Sequence, residues 1–166
     1  MVNEHEITIR HEDKNIILSP CTKKEFEDFW YNYFDLSRDY EAINDILKND
    51  SILDKAISFG NGIRILNQDP WETLCSFIIS QNNNIPRIKG IIDRLCSNFG
   101  EDLGNGHYTF PSAEKIACLS VDDLSVIRSG FRAKYILDAA KKLTSGEVSI
   151  AKIETLSTAD AKVELM

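Results

Sequence analysis

DPWETLCSFIISQNNNIPR, residues 69–87, decides how the chain folds. Asp69 is a good N-cap, Pro70 stands at the first helical position where a missing N–H costs nothing, and Glu72 follows three residues after the cap, as in a capping box. Trp71, Leu74, Cys75 and Ile78 recur at helical spacing, while Phe77 and Ile79 add apolar surface on other sides, so the spacing predicts a helix enclosed by neighbours. Gln81, Asn82, Asn83 and Asn84 interrupt it. Pro86 then begins a second helix with Ile88, Ile91, Ile92, Leu95, Cys96 and Phe99 on one stripe. Two buried helices therefore meet at an amide-rich corner. A single Asn there would be turn chemistry, because Asn tolerates left-handed backbone and bonds its own main chain. Four consecutive primary amides, with Arg87 one helical turn further on, exceed what a turn requires. Amides and a guanidinium together suit base edges and phosphates.

Beyond this pair, GEDLGNGHYTFP (residues 100–111) reads as a loop rich in Gly and turn formers. Ser112 and Ser120 are N-caps for two short helices, Ala113 to Leu119 and Val121 to Arg128. Ser129-Gly130 stops the second, and from Arg132 a further helix runs with Ala133, Ile136, Leu137, Ala140 and Leu143 inward. Arg132 and Lys134 stand at its N-terminus, where cations oppose the helix dipole unless an anion is present, so a phosphate would suit the place. Phe131, taken alone, reads as a staple packing on the helix start. Arg128 to Lys142 holds Arg128, Arg132, Lys134, Lys141 and Lys142 against Asp138, a local basic patch. By itself that is a solvated helix face. Ile150 to Leu156 follows, and Ser157-Thr158-Ala159-Asp160 starts a helix still in progress at Met166, with no cap, Gly or Pro to end it.

On the N-terminal side, Glu6 to Arg10 and Asn15 to Leu18 carry β-branched residues about a polar HEDK, the pattern of a small hairpin. Thr22 caps a helix with Glu25 three residues on, and Phe26, Phe29, Trp30 and Tyr33 form its stripe, an aromatic cluster better read as core than as a ligand box. Short helices follow over Tyr40 to Leu47 and Ser51 to Ser58, ending at Phe59-Gly60-Asn61-Gly62.

The 166 residues fit one main domain with a small appendage, residues 1–21 as a remnant of an N-terminal β domain and 22–166 as a helical domain. The 43% hydrophobic and 27% charged composition is that of a globular protein. No apolar run approaches a membrane span, and the N-terminus lacks a signal-peptide pattern, which leads us to expect a cytoplasmic protein with no membrane partner. Cys21, Cys75, Cys96 and Cys118 show no C-x-x-C spacing and read as reduced thiols, so no metal site is expected. A net charge of −7 argues against indiscriminate nucleic-acid binding, yet residues 61–142 hold 10 Lys/Arg against 9 Asp/Glu and are near neutral.

These motifs carry a resemblance. GNGIRILNQDPWETLCSFIISQNNNIPRIKGIIDRLCSNFG, followed by FPS and then SGFRAKYI, resembles the 8-oxoguanine DNA glycosylase/AP lyase family of the helix-hairpin-helix base-excision repair superfamily. The match runs from about Phe26, through WYNYFDLSRDY, to the end. Its most specific parts are the QDP-x-E helix start, the S-x-NNN-I-x-R-I turn and the G-[YF]-R-A-[RK]-Y segment. The resemblance implies a mostly α fold, a helical bundle of the glycosylase type with a small N-terminal β-hairpin. It implies removal of 8-oxoguanine opposite cytosine by N-glycosidic cleavage, with lyase β-elimination, on double-stranded DNA. No cofactor is implied. A monomer associated with a bacterial-type nucleoid is expected.

The resemblance also supplies roles. Asn82 matches the residue that enters the void left by the extruded nucleotide. Arg87 and Arg132 match the pair donating to the estranged cytosine, whose N3 and O2 are acceptors. Phe131 matches an aromatic wedge, usually Tyr in relatives, that intrudes beside that base. Asn84 and Lys134 belong to the same DNA-facing set. The family's catalytic Lys, which attacks the sugar C1′, and its assisting Asp are not assignable in this chain and are expected beyond Met166. Lys162 and Asp160, on the entering helix, are no substitutes. A G-Q-x-F-R-W strand that helps read the damaged base is expected before Met1. The chain is thus expected to be a fragment, catalytically inert alone. Alternatives are a glycosylase for another damaged purine, a complete helical module that binds DNA or protein without chemistry, and a purely structural interaction domain.

Overall fold

A computed structural model describes residues 7–13, 15–104 and 106–164. They divide into two compact units, one up to Gln68 and the other from Asp69 onward.

The first unit opens with β1 (Thr8–Glu12) and β2 (Asn15–Ser19), antiparallel with Thr8 opposite Ser19 and Glu12 opposite Asn15. The expected hairpin is present, shifted two residues later in its first strand. Glu6, placed in that strand by pattern, lies outside the described residues, as does Lys14 of the turn. Thr22 accepts a hydrogen bond from the Glu25 N–H and caps α1 (Lys23–Glu25). A π-helical turn over Phe26–Trp30 follows, then α2 (Tyr31–Tyr33). The uniform helix expected here is therefore interrupted by wider turns, among which Trp30 is buried and packs edge-on to Phe29 and Tyr33 and face to face with Phe34. Asp39 caps α3 (Tyr40–Leu47), and Asp50 caps α4 (Ser51–Phe59).

Few apolar side chains of this unit are fully covered. What fixes its loops is a polar hub at Asp35, 5% exposed and in left-handed backbone. Its carboxylate accepts from the Arg38 guanidinium and the Tyr40 hydroxyl, and its carbonyl accepts from Arg64 at 2.8 Å. The Tyr40 oxygen in turn accepts from the Ile65 N–H, and Arg64 lies over the Tyr40 ring. The hydrogen bond from Arg38, with those from Tyr40 and Asn67, holds the Asp35 carboxyl below the usual range against the opposing effect of burial.

The second unit is built on α5 (Pro70–Ser80) and α6 (Ile85–Phe99). Asp69 accepts from the Glu72 N–H at 2.8 Å, the cap read from sequence. Trp71, Cys75 and Ile79 are buried, as are Ile91 and Leu95 of α6. Phe77 departs from the expected enclosure: it is 64% exposed, because α5 buries one side only and leaves the other facing out. The stretch 100–111 is not plain loop, for β3 (Asp102–Gly104) and β4 (His107–Tyr108) pair there antiparallel. Next come α7 (Ala113–Ala117), a 3₁₀ turn over Asp123–Ile127 in place of the expected α-helix, and α8 (Arg132–Ser145). Ser120 explains the tighter turn, since its N–H and hydroxyl both bond the Asp123 carboxylate. Ile116, Leu124, Ile127, Ala133, Ile136, Leu137 and Ala140 complete one apolar core with α5 and α6. Two side-chain bonds to carbonyls tie that core together: Trp71 Nε1 to Pro111 at 2.9 Å and Arg94 Nε to Ile127 at 3.0 Å. α9 (Ile150–Glu154) and α10 (Thr158–Glu164) close the described chain, linked by a Lys152–Glu164 ion pair of 2.7 Å. Among the described residues no helix is long and apolar enough to cross a membrane.

Candidate nucleic-acid interface

The corner between α5 and α6 is assembled by its own amides. Asn83 donates to the Ile79 carbonyl at 2.9 Å, which closes the end of α5. The Asn83 side-chain oxygen accepts from the Asn84 N–H, and the Asn84 oxygen accepts from the Arg87 N–H at 3.0 Å as the N-cap of α6. The Gln81 amide donates to the Phe77 carbonyl at 3.3 Å, so three of the four amides do the turn work. Asn82 does not share it: it sits in left-handed backbone, φ 46°, and is exposed. That geometry lifts residue 82 out of the helix path, a conformation Asn adopts more readily than most residues.

A second element reaches this corner from 50 residues away. Arg132, the first residue of α8, is 2% exposed, and its guanidinium donates to main-chain carbonyls on both sides. Nε and Nη2 both reach Gln81 O, the first at 3.1 Å, and Nη2 also reaches Asn82 O at 3.0 Å. Nη1 reaches Ser129 O at 3.3 Å. The guanidinium also lies over the Phe131 ring, 4.5 Å from its centre. So Asn82 and the adjacent pair Phe131 and Arg132, distant from it in sequence, share one place. Phe131 is 59% exposed and stands edge-on to Tyr135 rather than stapled into the core.

Arg87 and Lys134 lie outside that clasp. Arg87 is exposed on the first turn of α6, and Lys134 is exposed on the first turn of α8 with its amine 4.8 Å from the Tyr135 ring centre. Neither first turn contains an acidic residue, and α8 begins without a side-chain cap. α8 thus presents uncompensated N–H groups and a cation together, an arrangement that favours an anion, while α6 adds the exposed Arg87 beside its Asn84 cap. Beside the corner an open groove of about 320 Å³ runs between α5 and α8, with Phe77, Ile78, Gln81, Phe131, Tyr135 and Leu143 among its walls.

Pattern reading misses one residue of the site, Ser129, and the burial of another, Arg132. Ser129 was read only as a helix stop, yet it is 1% exposed and its carbonyl holds Arg132. The burial of Arg132 had a signal: residues 132, 136 and 140 lie on one face, and the latter two are apolar. Among the described residues no group of three or more His, Cys, Asp or Glu is placed to hold a metal ion. Burial pushes the Cys96 thiol up to about 11 and that of Cys75 higher still.

Comparison with known proteins places this geometry in context. Residues 75–165 match the model of the HhH-GPD superfamily of base excision DNA repair proteins, and residues 1–74 match that of the 8-oxoguanine DNA glycosylase N-terminal domain. An N-glycosylase/DNA lyase of Saccharomyces cerevisiae is 46% identical over 89 residues, 51% of this chain and 24% of the yeast protein. The solved 8-oxoguanine glycosylase/lyase of Clostridium acetobutylicum is 36% identical. Its apo form superposes with a TM-score of 0.94 over 99% of this chain and 59% of its own. Its complex with double-stranded DNA containing cytosine opposite 8-oxoguanine gives 0.91 over 99% and 58%. The chain therefore spans less than two thirds of the length of each of these relatives.

Proposed function

The chain belongs to the HhH-GPD superfamily of base excision DNA repair proteins, and on that basis we propose that its α5–α6 corner reads duplex DNA at 8-oxoguanine paired with cytosine. The observation that carries this is the bond from Arg132 to the carbonyls of Gln81 and Asn82, which makes one surface out of two distant motifs. Asn82, outward and left-handed, is the residue for the space an extruded nucleotide leaves. Phe131 offers an exposed ring to stack beside the base that stays behind. Arg87 and Arg132 are the donors for cytosine N3 and O2, and a guanidinium presents several N–H groups in one plane for such paired acceptors. Asn84 sets the start of the helix that carries Arg87. Lys134 and the uncapped N-terminus of α8 take a backbone phosphate.

Removing the base requires an amine nucleophile and a carboxylate to stabilise the charged sugar. We assign neither to a residue of this chain. Lys162 and Asp160 belong to the short α10, where the Asp160 carboxylate is engaged by Ser157. Incubation with an abasic duplex and borohydride should therefore trap no covalent adduct with the chain by itself. A trapped adduct mapping to Lys162 would reverse that assignment.

The direct test is affinity for a duplex carrying an abasic-site analogue opposite cytosine, set against the analogue opposite adenine and an intact duplex, each at two salt concentrations. Preference for the first, lost in Arg87→Ala by roughly 10- to 100-fold, is expected for a donor pair worth about 1–3 kcal/mol. Equal and salt-sensitive binding to all three duplexes would contradict it.

A further inference from the structure

Arg132 carries more than a donor to a base, because most of its donors are already bonded within the chain. The side chain is 2% exposed, and four of its five N–H groups bond carbonyls: Gln81 from two nitrogens, Asn82 at 3.0 Å and Ser129 at 3.3 Å. The ring of Phe131 covers its face at 4.5 Å. Two of those carbonyls flank the peptide that sets Asn82 at φ 46°, a conformation that a residue with a β-carbon adopts at a cost. α5 has ended at Ser80 and α6 starts only at Ile85, so no helical hydrogen bond is there to hold residue 82.

We propose that Arg132 is a positioning residue for Asn82. Its guanidinium holds the 81–82 turn in the left-handed form, and it releases a carbonyl of that turn to present paired donors to a base. Insertion of Asn82 and recognition by Arg132 are then one exchange rather than two independent contacts. The second half rests on the DNA-reading assignment above. The first half does not.

The test has two measurements on the free protein and one with DNA. Asn82→Ala and Asn82→Gly both remove the amide, but only alanine is strained at positive φ. With Arg132 present, Asn82→Ala should melt roughly 2–4 °C below Asn82→Gly. In the Arg132→Met background, which keeps length and loses every donor, that gap should close. An equal gap in both backgrounds overturns the positioning role. Should the Met variants not fold, the Arg132 Nε–H resonance of the native chain decides. Slow solvent exchange supports the role, and exchange at the rate of an exposed arginine overturns it. Adding a duplex with an abasic analogue opposite cytosine should shift that resonance and the Asn82 amide together. Movement of Asn82 with Nε–H unchanged overturns the exchange. No shift anywhere overturns the DNA reading while the positioning role stands on the first two results.

Discussion

Residues up to Gln68 and residues from Asp69 onward are organised by different physics. The second unit buries a continuous apolar core from four helices and a 3₁₀ turn, and its polar corner stands on that core. Among the described residues of the first unit, Trp30 and Asp35 are the buried side chains, while Ile46, Ile52, Phe59, Ile63 and Ile65 are largely exposed. Its loops converge on one carboxylate rather than on an apolar centre. A site that must hold Asn82 and Phe131 in fixed relation belongs on the unit whose packing resists small displacements. The contrast also separates the kinds of change each unit should feel.

Leu95→Ala should break the second unit hardest. The side chain is fully buried in the shared core, so the loss should be about 2–5 kcal/mol in denaturant unfolding followed by Trp71 fluorescence. A loss under about 1 kcal/mol would mean that the core is looser than its burial implies. For the first unit the matching change is Asp35→Asn, which keeps the shape and the tolerance of left-handed backbone but removes the charge. Its effect should be smaller and dependent on pH. Because the folded carboxyl lies below its ordinary value of 3.8, its stabilisation is present above that value and is lost as pH falls through the lower folded one. Wild type and variant, followed by Trp30, should differ at pH 6 and converge in acid. Divergence in acid would contradict the hub.

Asp69→Ala should cost about 1 kcal/mol, the usual value for an N-cap, with no change at Trp30. The smallest effect is chemical. At pH 8 an alkylating reagent should label exposed Cys118 first, Cys96 slowly because its thiol is pushed up to about 11, and Cys75 only on unfolding. Early labelling of Cys75 would show the α5–α6 core opening in the native state.

What could be read from the letters alone follows the same division. Caps and stripes are local, so Thr22, Asp69 and Ser112 cap as their residue types suggest, and the α5, α6 and α8 stripes bury the expected Cys75, Leu95 and Ile136. The mostly helical fold is legible for that reason, whereas membership of the glycosylase superfamily is legible only through motifs that resemble those of the family. Long-range polar bonds were not. Nothing in the local pattern at Asp35 announces Arg64, 29 residues on, and nothing at Arg132 announces the carbonyl of Gln81. Phe77 was misjudged because a stripe counts apolar residues without saying which faces have neighbours. The tight turn at Asp123–Ile127 was missed because Ser120 competes with the α-helix through a side-chain bond that periodicity does not see.

On the reading proposed above, DNA is bound by the second unit, at the corner that Arg132 ties together. Backbone amide shifts on titration with a duplex holding an abasic analogue opposite cytosine test it most directly. The account predicts the largest shifts at Asn82, Asn84, Arg87, Phe131 and Lys134, with residues 7–68 little changed. Shifts concentrated on α3 and α4, with the corner silent, would contradict it.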